Sequence, residues 1–196
     1  MKIIVNDRFS FVKTLSSFLP ENPICAEIGV YRGEFSSILL DELKPSTLFL
    51  IDPWECGHDK NANGQVYTNE LEGLPTAYST LSDEQLVLEK FSNHIESGRV
   101  IIIKEYSYDA VNSIADQSLD MVYIDASHIY ESVKADISDY FPKLKKSGLL
   151  CGHDYFTFSN FGVIRAVDEF LQENKDFEFL ILNNANYDWA VRRKTD

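Results

Sequence analysis

Five short, almost unbroken apolar runs limit what this chain can fold into: ICAEI (24–28), TLFLI (47–51), VIIIK (100–104), MVYID (121–125) and GLLCG (148–152). A half-wet strand alternates apolar and polar residues. These runs do not, so both faces of the sheet they form are expected to be covered. The cover is supplied by the intervening segments, where apolar residues recur every three or four positions: Phe35, Ile38, Leu39 and Leu43; Leu88, Phe91 and Ile95; Val133, Ile137, Tyr140, Phe141 and Leu144. That spacing gathers a single stripe on a helix. Strand and helix therefore alternate, and right-handed crossovers turn the alternation into a Rossmann-like, doubly wound α/β sheet.

The ends of the pattern are also legible. An opening helix carrying Val12, Leu15 and Phe18 stops at Pro20, and Ser82 with Gln85 has the spacing of a capping box. A last helix bears Val163, Ile164, Val167, Phe170 and Leu171, after which FEFLIL (177–182) and YDWAVRR (187–193) flank NNAN as a hairpin. The expectation is seven strands, mostly parallel, with a C-terminal antiparallel strand pair, in a single domain over residues 1–196. Residues 53–81, with Gly57, Asn61, Asn63, Gly64, Gly73 and Pro75, are too long for an ordinary connection and read as either a lid or a disordered insertion. Trp54, Tyr67 and Tyr78 either line a substrate pocket beneath it or anchor it.

Charge narrows the function. With 18 basic and 31 acidic residues the net charge is −13, which repels phosphate backbones, so a nucleic-acid partner is not expected. No apolar run is long enough for a membrane span, and MKIIVNDRFSF turns polar too early for a signal peptide, which makes a soluble, cytoplasmic protein the expectation. Cys25, Cys56 and Cys151 lack CxxC spacing and indicate neither a disulfide framework nor a zinc knuckle. The partner expected is a small-molecule substrate, with a homodimer left open.

Ligands of open α/β sheets bind beyond the carboxyl ends of the strands. The first such turn is Glu27-Ile-Gly29-Val-Tyr31-Arg-Gly33, where Gly29 permits a backbone conformation barred to other residues and Gly33 lets the next helix pack closely. A pyrophosphate would need a second glycine where Tyr31 stands and would be repelled by Glu27. A cationic ligand without phosphates suits the turn better. Asp52 lies 23 residues after Gly29 at the end of the second run, placed to accept hydrogen bonds from two ribose hydroxyls. The glycines alone fit a tight turn equally well; with Asp52 they form a more specific pattern.

The stretches AEIGVYRGEFSSILL, LFLIDPWE, SLDMVYIDASHIYESVKADISDYFPKLKKSGLLCGHDY and FGVIRAVDEF resemble class I S-adenosylmethionine (SAM)-dependent methyltransferases, and more narrowly the small-molecule, macrocin O-methyltransferase-like group, over about residues 20–175. The resemblance implies SAM as cofactor. Glu27, Gly29 and Gly33 would hold its methionine portion, Asp52 its ribose, and Tyr106 and Ser107 the adenine edge, with Tyr31, Trp54 and Asp125 completing the cofactor set. The group often has Gly-Asp-Ser where this chain has Glu105-Tyr106-Ser107.

Beyond the fourth and fifth runs stand Asp125, His128, His153 and Asp154. Neighbouring strands are about 4.8 Å apart, so acids at their ends can share a divalent cation. Related catechol-type methyltransferases bind magnesium this way with an Asn after the second Asp; here Tyr155 replaces it. Asp125 and Asp154 would then need His153 or His128, a donor set that favours manganese, iron or zinc. The alternatives are a cap or turn role for Asp154, a His128–Glu131 pair, or metal-free catalysis in which Asp125, His128 and His153 act and a histidine is general base. The reading is methyl transfer from SAM to a hydroxyl of a small molecule such as a sugar or natural-product intermediate. Its competitors are a metal-dependent hydroxylase, similar to the cephalosporin hydroxylase group in its IDxxH pattern, and a non-catalytic SAM-binding module.

Overall fold

The structure is a computed structural model describing residues 2–55, 59–60, 66–67, 81–158 and 161–194. In chain order its elements are β1 (Ile3–Val5), α1 (Arg8–Leu15), β2 (Ile24–Ile28), α2 (Glu34–Leu43), β3 (Thr47–Ile51), β4 (Asp59–Lys60), β5 (Val66–Tyr67), α3 (Asp83–Lys90), α4 (Ser92–Glu96), β6 (Val100–Ile103), α5 (Ser107–Ala110), β7 (Leu119–Ile124), α6 (Tyr130–Tyr140), β8 (Leu144–Gly152), α7 (Val163–Glu173), β9 (Phe177–Asn183) and β10 (Trp189–Arg193). Eight strands form one sheet in the order β1-β9-β10-β8-β7-β2-β3-β6, and β4 pairs with β5 separately. The five apolar runs are β2, β3, β6, β7 and β8, mutually parallel and contiguous with β6 at the sheet edge, and the expected hairpin is β9–β10.

The sheet has one strand more than the seven expected. Ile3–Val5 pairs in parallel with Ile181–Asn183, and three residues are too few for any periodicity to announce.

Both faces are covered, as the unbroken apolar runs require. Cys25, Leu48, Leu50, Met121, Tyr123 and Cys151 point toward α1, α2 and α3; Ala26, Ile28, Val122, Ile124 and Leu150 point toward α6 and α7. Each fully buried Leu or Ile contributes about 1.5–3 kcal/mol of burial free energy, so this two-sided core fixes the strand ends that carry the site. The capping box is present, with Ser82 Oγ accepting from Gln85 N and Gln85 Oε1 accepting from Ser82 N.

Two local expectations shift. Leu88 does not share the buried stripe of Phe91; it is exposed, and Val87 takes its place beside Phe91. Either residue satisfies a three- or four-residue step, and the contact of Phe91 with Gly33 selects Val87: a β-carbon on Gly33 would stand 2.6 Å from the Phe91 ring and 3.5 Å from Val87. The helix also breaks at Phe91, between α3 and α4. Leu144, read as the last residue of a helical stripe, instead opens β8.

Candidate active site

Strands β2 and β7 are neighbours, and the chain leaves them in opposite directions across the sheet, so their carboxyl ends form the crevice where such folds bind ligands. Gly29 follows β2 at φ +87°, and a β-carbon there would overlap the backbone carbonyl of Asp125 at the end of β7. Only glycine lets the two strand ends close on each other. Gly33 caps α2 at φ +70°, again in the left-handed region.

Asp52 organises this turn. Its Oδ2 accepts from Val30 N at 2.8 Å and Tyr31 N at 3.0 Å, and its Oδ1 accepts from Trp54 N at 2.7 Å. These contacts take three of the carboxylate's acceptor positions and fix its orientation at the strand end. Tyr31 and Trp54 both have positive φ, and Trp54 Nε1 donates to the Tyr31 carbonyl at 2.9 Å, closing the loop over the strand end. Tyr106 donates from its hydroxyl to Glu55 at 2.6 Å and stacks on Tyr108, while the Ser107 carbonyl accepts from Tyr140 Oη at 2.9 Å. The expected cofactor residues thus ring one strand-end surface. Tyr67, Tyr78, Cys56 and most of the 53–81 segment lie outside the residues whose side chains are described.

Glu27 departs from its reading as a negative charge. It is 1% exposed, and its Oε2 accepts from Ser36 Oγ at 2.6 Å. Burial pushes its carboxyl up to about 8; the Ser36 hydrogen bond opposes the shift, Asp125 and Asp52 add to it, and Arg8 counters them. At pH 7 it is mostly protonated until a cation enters.

The chemical end gathers at β7 and β8, whose ends pair Ile124 with Gly152. His128 Nε2 lies 2.8 Å from Asp154 Oδ2; His153 Nδ1 lies 3.0 Å from the same oxygen and 3.5 Å from Asp125 Oδ1. Asp154 is therefore neither an ordinary turn residue nor a helix cap, and His128 has a partner other than Glu131. Burial lowers the basicity of His153, but hydrogen bonds with Asp125 and Asp154 outweigh it and raise the imidazole to about 10. Burial likewise opposes ionisation of Asp154, and the two histidines overcome it, holding that carboxyl well below the usual range. In the absence of a metal these two bonds favour the protonated imidazole, which donates from Nδ1 to the acids.

Among the described residues Asp125, His128 and Asp154 each offer a ligand atom, all within 4.8 Å of one another. His128 thus joins the two acids expected, with His153 beside them. Of their separations, that of His128 Nε2 from Asp154 Oδ2 is 2.8 Å, close to the spacing of about 3 Å expected of two atoms on one ion. The donor set of one imidazole and two carboxylates fits manganese, iron or zinc better than magnesium. A narrow cavity runs between these residues, Ser127 and Trp189. An aromatic wall continues from it: His128 packs on Phe161 at 4.5 Å, Phe156 stacks on Tyr187 at 4.3 Å, and Phe158 and Tyr187 are 45% and 42% exposed.

Arg8 and Asp188 complete this end without any sequence forewarning. Arg8 Nε donates to Asp188 Oδ1 at 3.2 Å, and Nη2 lies 3.7 Å from Asp125 Oδ2. Nothing in the local pattern marks them, because they are brought together from the first helix and the last strand.

The methyltransferase domain family matches residues 26–155, which include every site residue above except Arg8 and the last-hairpin and aromatic-wall residues. Among solved structures, the O-methyltransferase NovP is similar with a TM-score of 0.68 at 19% identity, covering 96% of this chain and 80% of that one. A Streptococcus mutans protein in complex with SAH gives a TM-score of 0.63 at 11% identity, over 97% and 99% of the two chains. An rRNA methylase from Streptococcus thermophilus gives 0.59 at 9% identity, over 95% of each. At these identities the likeness is one of fold. A 53-residue stretch is 32% identical to the uncharacterised protein y4gI of Sinorhizobium fredii, over 27% of this chain and only 6% of that relative's length. Among the described residues no helix is long and apolar enough to cross a membrane.

Proposed function

This chain belongs to the methyltransferase domain family, a class I SAM-dependent fold, and on that premise we propose that it methylates a hydroxyl of a small molecule beside a metal ion held by Asp125, His128 and Asp154. The observation that carries the reading is the meeting of two acids and two histidines at the ends of β7 and β8, directly across from the glycine turn. Cofactor binding alone calls for no such cluster.

SAM, when bound, supplies a methyl group on a cationic sulfur, and the displacement passes in line to the acceptor oxygen. The chain's own contribution is chiefly position. The glycine turn, fixed by Asp52, holds one reactant; the aromatic wall and the Asp125–His128 edge orient the other and receive the hydroxyl proton. A divalent ion at the donor set would lower the pKa of that hydroxyl, the main obstacle to O-methylation at neutral pH.

The net charge of −13 supports a small acceptor over RNA, although RNA methylases share the fold. One observation favours a second reading, a metal-dependent hydroxylase: Asp125 and His128 of the IDxxH pattern meet Asp154 in one cluster of possible metal donors. The deciding experiment follows labelled methyl from SAM into a panel of phenols, sugars and polyols, with and without chelator, alongside oxygen uptake with ferrous iron. Chelator-sensitive methylation of a small hydroxyl compound supports the proposal. Transfer to RNA alone, or oxygen consumption without methyl transfer, rejects it.

A further inference from the structure

Arg8 opens α1, and Phe11, Val12 and Leu15 of that helix are fully buried, so its backbone is fixed against the sheet. The guanidinium lies over the Phe35 ring, 4.8 Å from its centroid, in the first turn of α2. Nε donates to Asp188 Oδ1, and Nη2 reaches Tyr123 Oη at 3.4 Å and Asp125 Oδ2 at 3.7 Å. Asp188 is wholly buried and is itself held by Tyr123 Oη at 2.5 Å and Asn183 Nδ2 at 2.7 Å. The guanidinium is therefore aimed by a rigid scaffold.

A guanidinium carries five N–H donors in a fixed fork. Nε and Nη2 are engaged as above, while the Nη1 edge has no hydrogen-bond partner among the described residues and the side chain is 26% exposed. The guanidinium is a cation set among Glu27, Asp125 and Asp188, and Asp125 follows β7 beside the glycine turn. The methionine tail of SAM carries both an ammonium and a carboxylate. Asp125, with Glu27 when ionised, suits the ammonium and the sulfonium. An acid there repels the carboxylate, which needs a cation of its own.

We infer that Arg8 binds the carboxylate of the cofactor's methionine tail through its Nη1 edge, an inference that rests on the cofactor occupying the glycine turn. Arg8 is thus a cofactor-binding residue delivered from outside the family-matched segment, by the N-terminal helix.

The test compares SAM with decarboxylated SAM, which keeps the sulfonium and the amine and lacks only the carboxylate. Calorimetry is run on the full chain and on Arg8→Lys, Arg8→Gln and Arg8→Ala; Gln keeps a donor for Asp188 should Ala fold poorly. The wild type is expected to prefer SAM by about 10- to 100-fold, the range for a hydrogen-bonded charge. Arg8→Gln and Arg8→Ala should erase that preference by weakening SAM alone, and Arg8→Lys should restore part of it. Equal weakening of both ligands would reduce Arg8 to a structural residue, and a preference that survives Arg8→Gln would reject the contact. A wild type that binds neither ligand overturns the cofactor reading itself, and this inference with it.

Discussion

The two halves of the strand-end surface are built in different ways. The glycine turn is local: Val30, Tyr31 and Trp54 are joined by their backbone amides to the single carboxylate of Asp52, just beyond the ends of the adjacent strands β2 and β3. The acid and histidine cluster is assembled over long range, with Arg8 and Asp188 180 positions apart meeting Asp125, His128, His153 and Asp154. The first half is held by main-chain geometry and should tolerate side-chain loss elsewhere. The second is held by charge, where each group depends on its partners, so losing one leaves buried charges uncompensated.

The sharpest way to break this contrast is Asp154→Ala. Methyl transfer should fall by about 10²- to 10⁴-fold while SAM affinity, measured by calorimetry, stays within a few-fold. A matching loss of affinity would show that the halves are not separable. Gly29→Ala should do the opposite, because its β-carbon would force β2 and β7 apart: SAM affinity should drop by roughly 100-fold, with a lower melting temperature.

Glu27 lies between the halves and gives a pH signature. Its folded carboxyl sits at about 8, above the unfolded value, so the ligand-free native state holds the extra proton. Glu27's contribution to stability should therefore be fullest below the unfolded carboxylate range and decline as pH rises through about 8. SAM affinity should change the other way, rising about 10-fold from pH 6 to 8 as the ionised carboxylate meets the cation. Glu27→Gln should flatten both profiles; an unchanged slope in that variant would assign the titration elsewhere. The smallest effect expected is from Phe158→Ala on the aromatic wall, a few-fold rise in acceptor KM with kcat and SAM affinity unchanged. Weaker SAM binding in that variant would place the wall on the cofactor side.

The same contrast explains what could be read in advance. Gly29, Gly33 and Asp52 are legible because a turn needing positive φ and an acid at a strand end leave marks on neighbouring residues. Asp125 and Asp154 are legible as positions after apolar runs. Their partner histidine is left open by the sequence: His128 and His153 both follow strands, and only the fold brings His128 Nε2 to 2.8 Å from Asp154 and His153 Nδ1 between Asp154 and Asp125. Likewise the spacing of α3 admits Val87 or Leu88, and the packing of Phe91 on Gly33 chooses.

What the sequence determined by itself is the covered parallel sheet and the glycine turn, since burial on both faces and a backbone conformation reserved for glycine are written into consecutive residues. What the tertiary structure alone decided is charge. The Glu27 carboxyl is pushed up to about 8 chiefly by burial, with Asp125 and Asp52 adding to the shift, and Arg8 reaches the site only because α1 docks against α2 and β9. A side chain's charge state is a property of its surroundings, and those surroundings come from parts of the chain far apart in sequence.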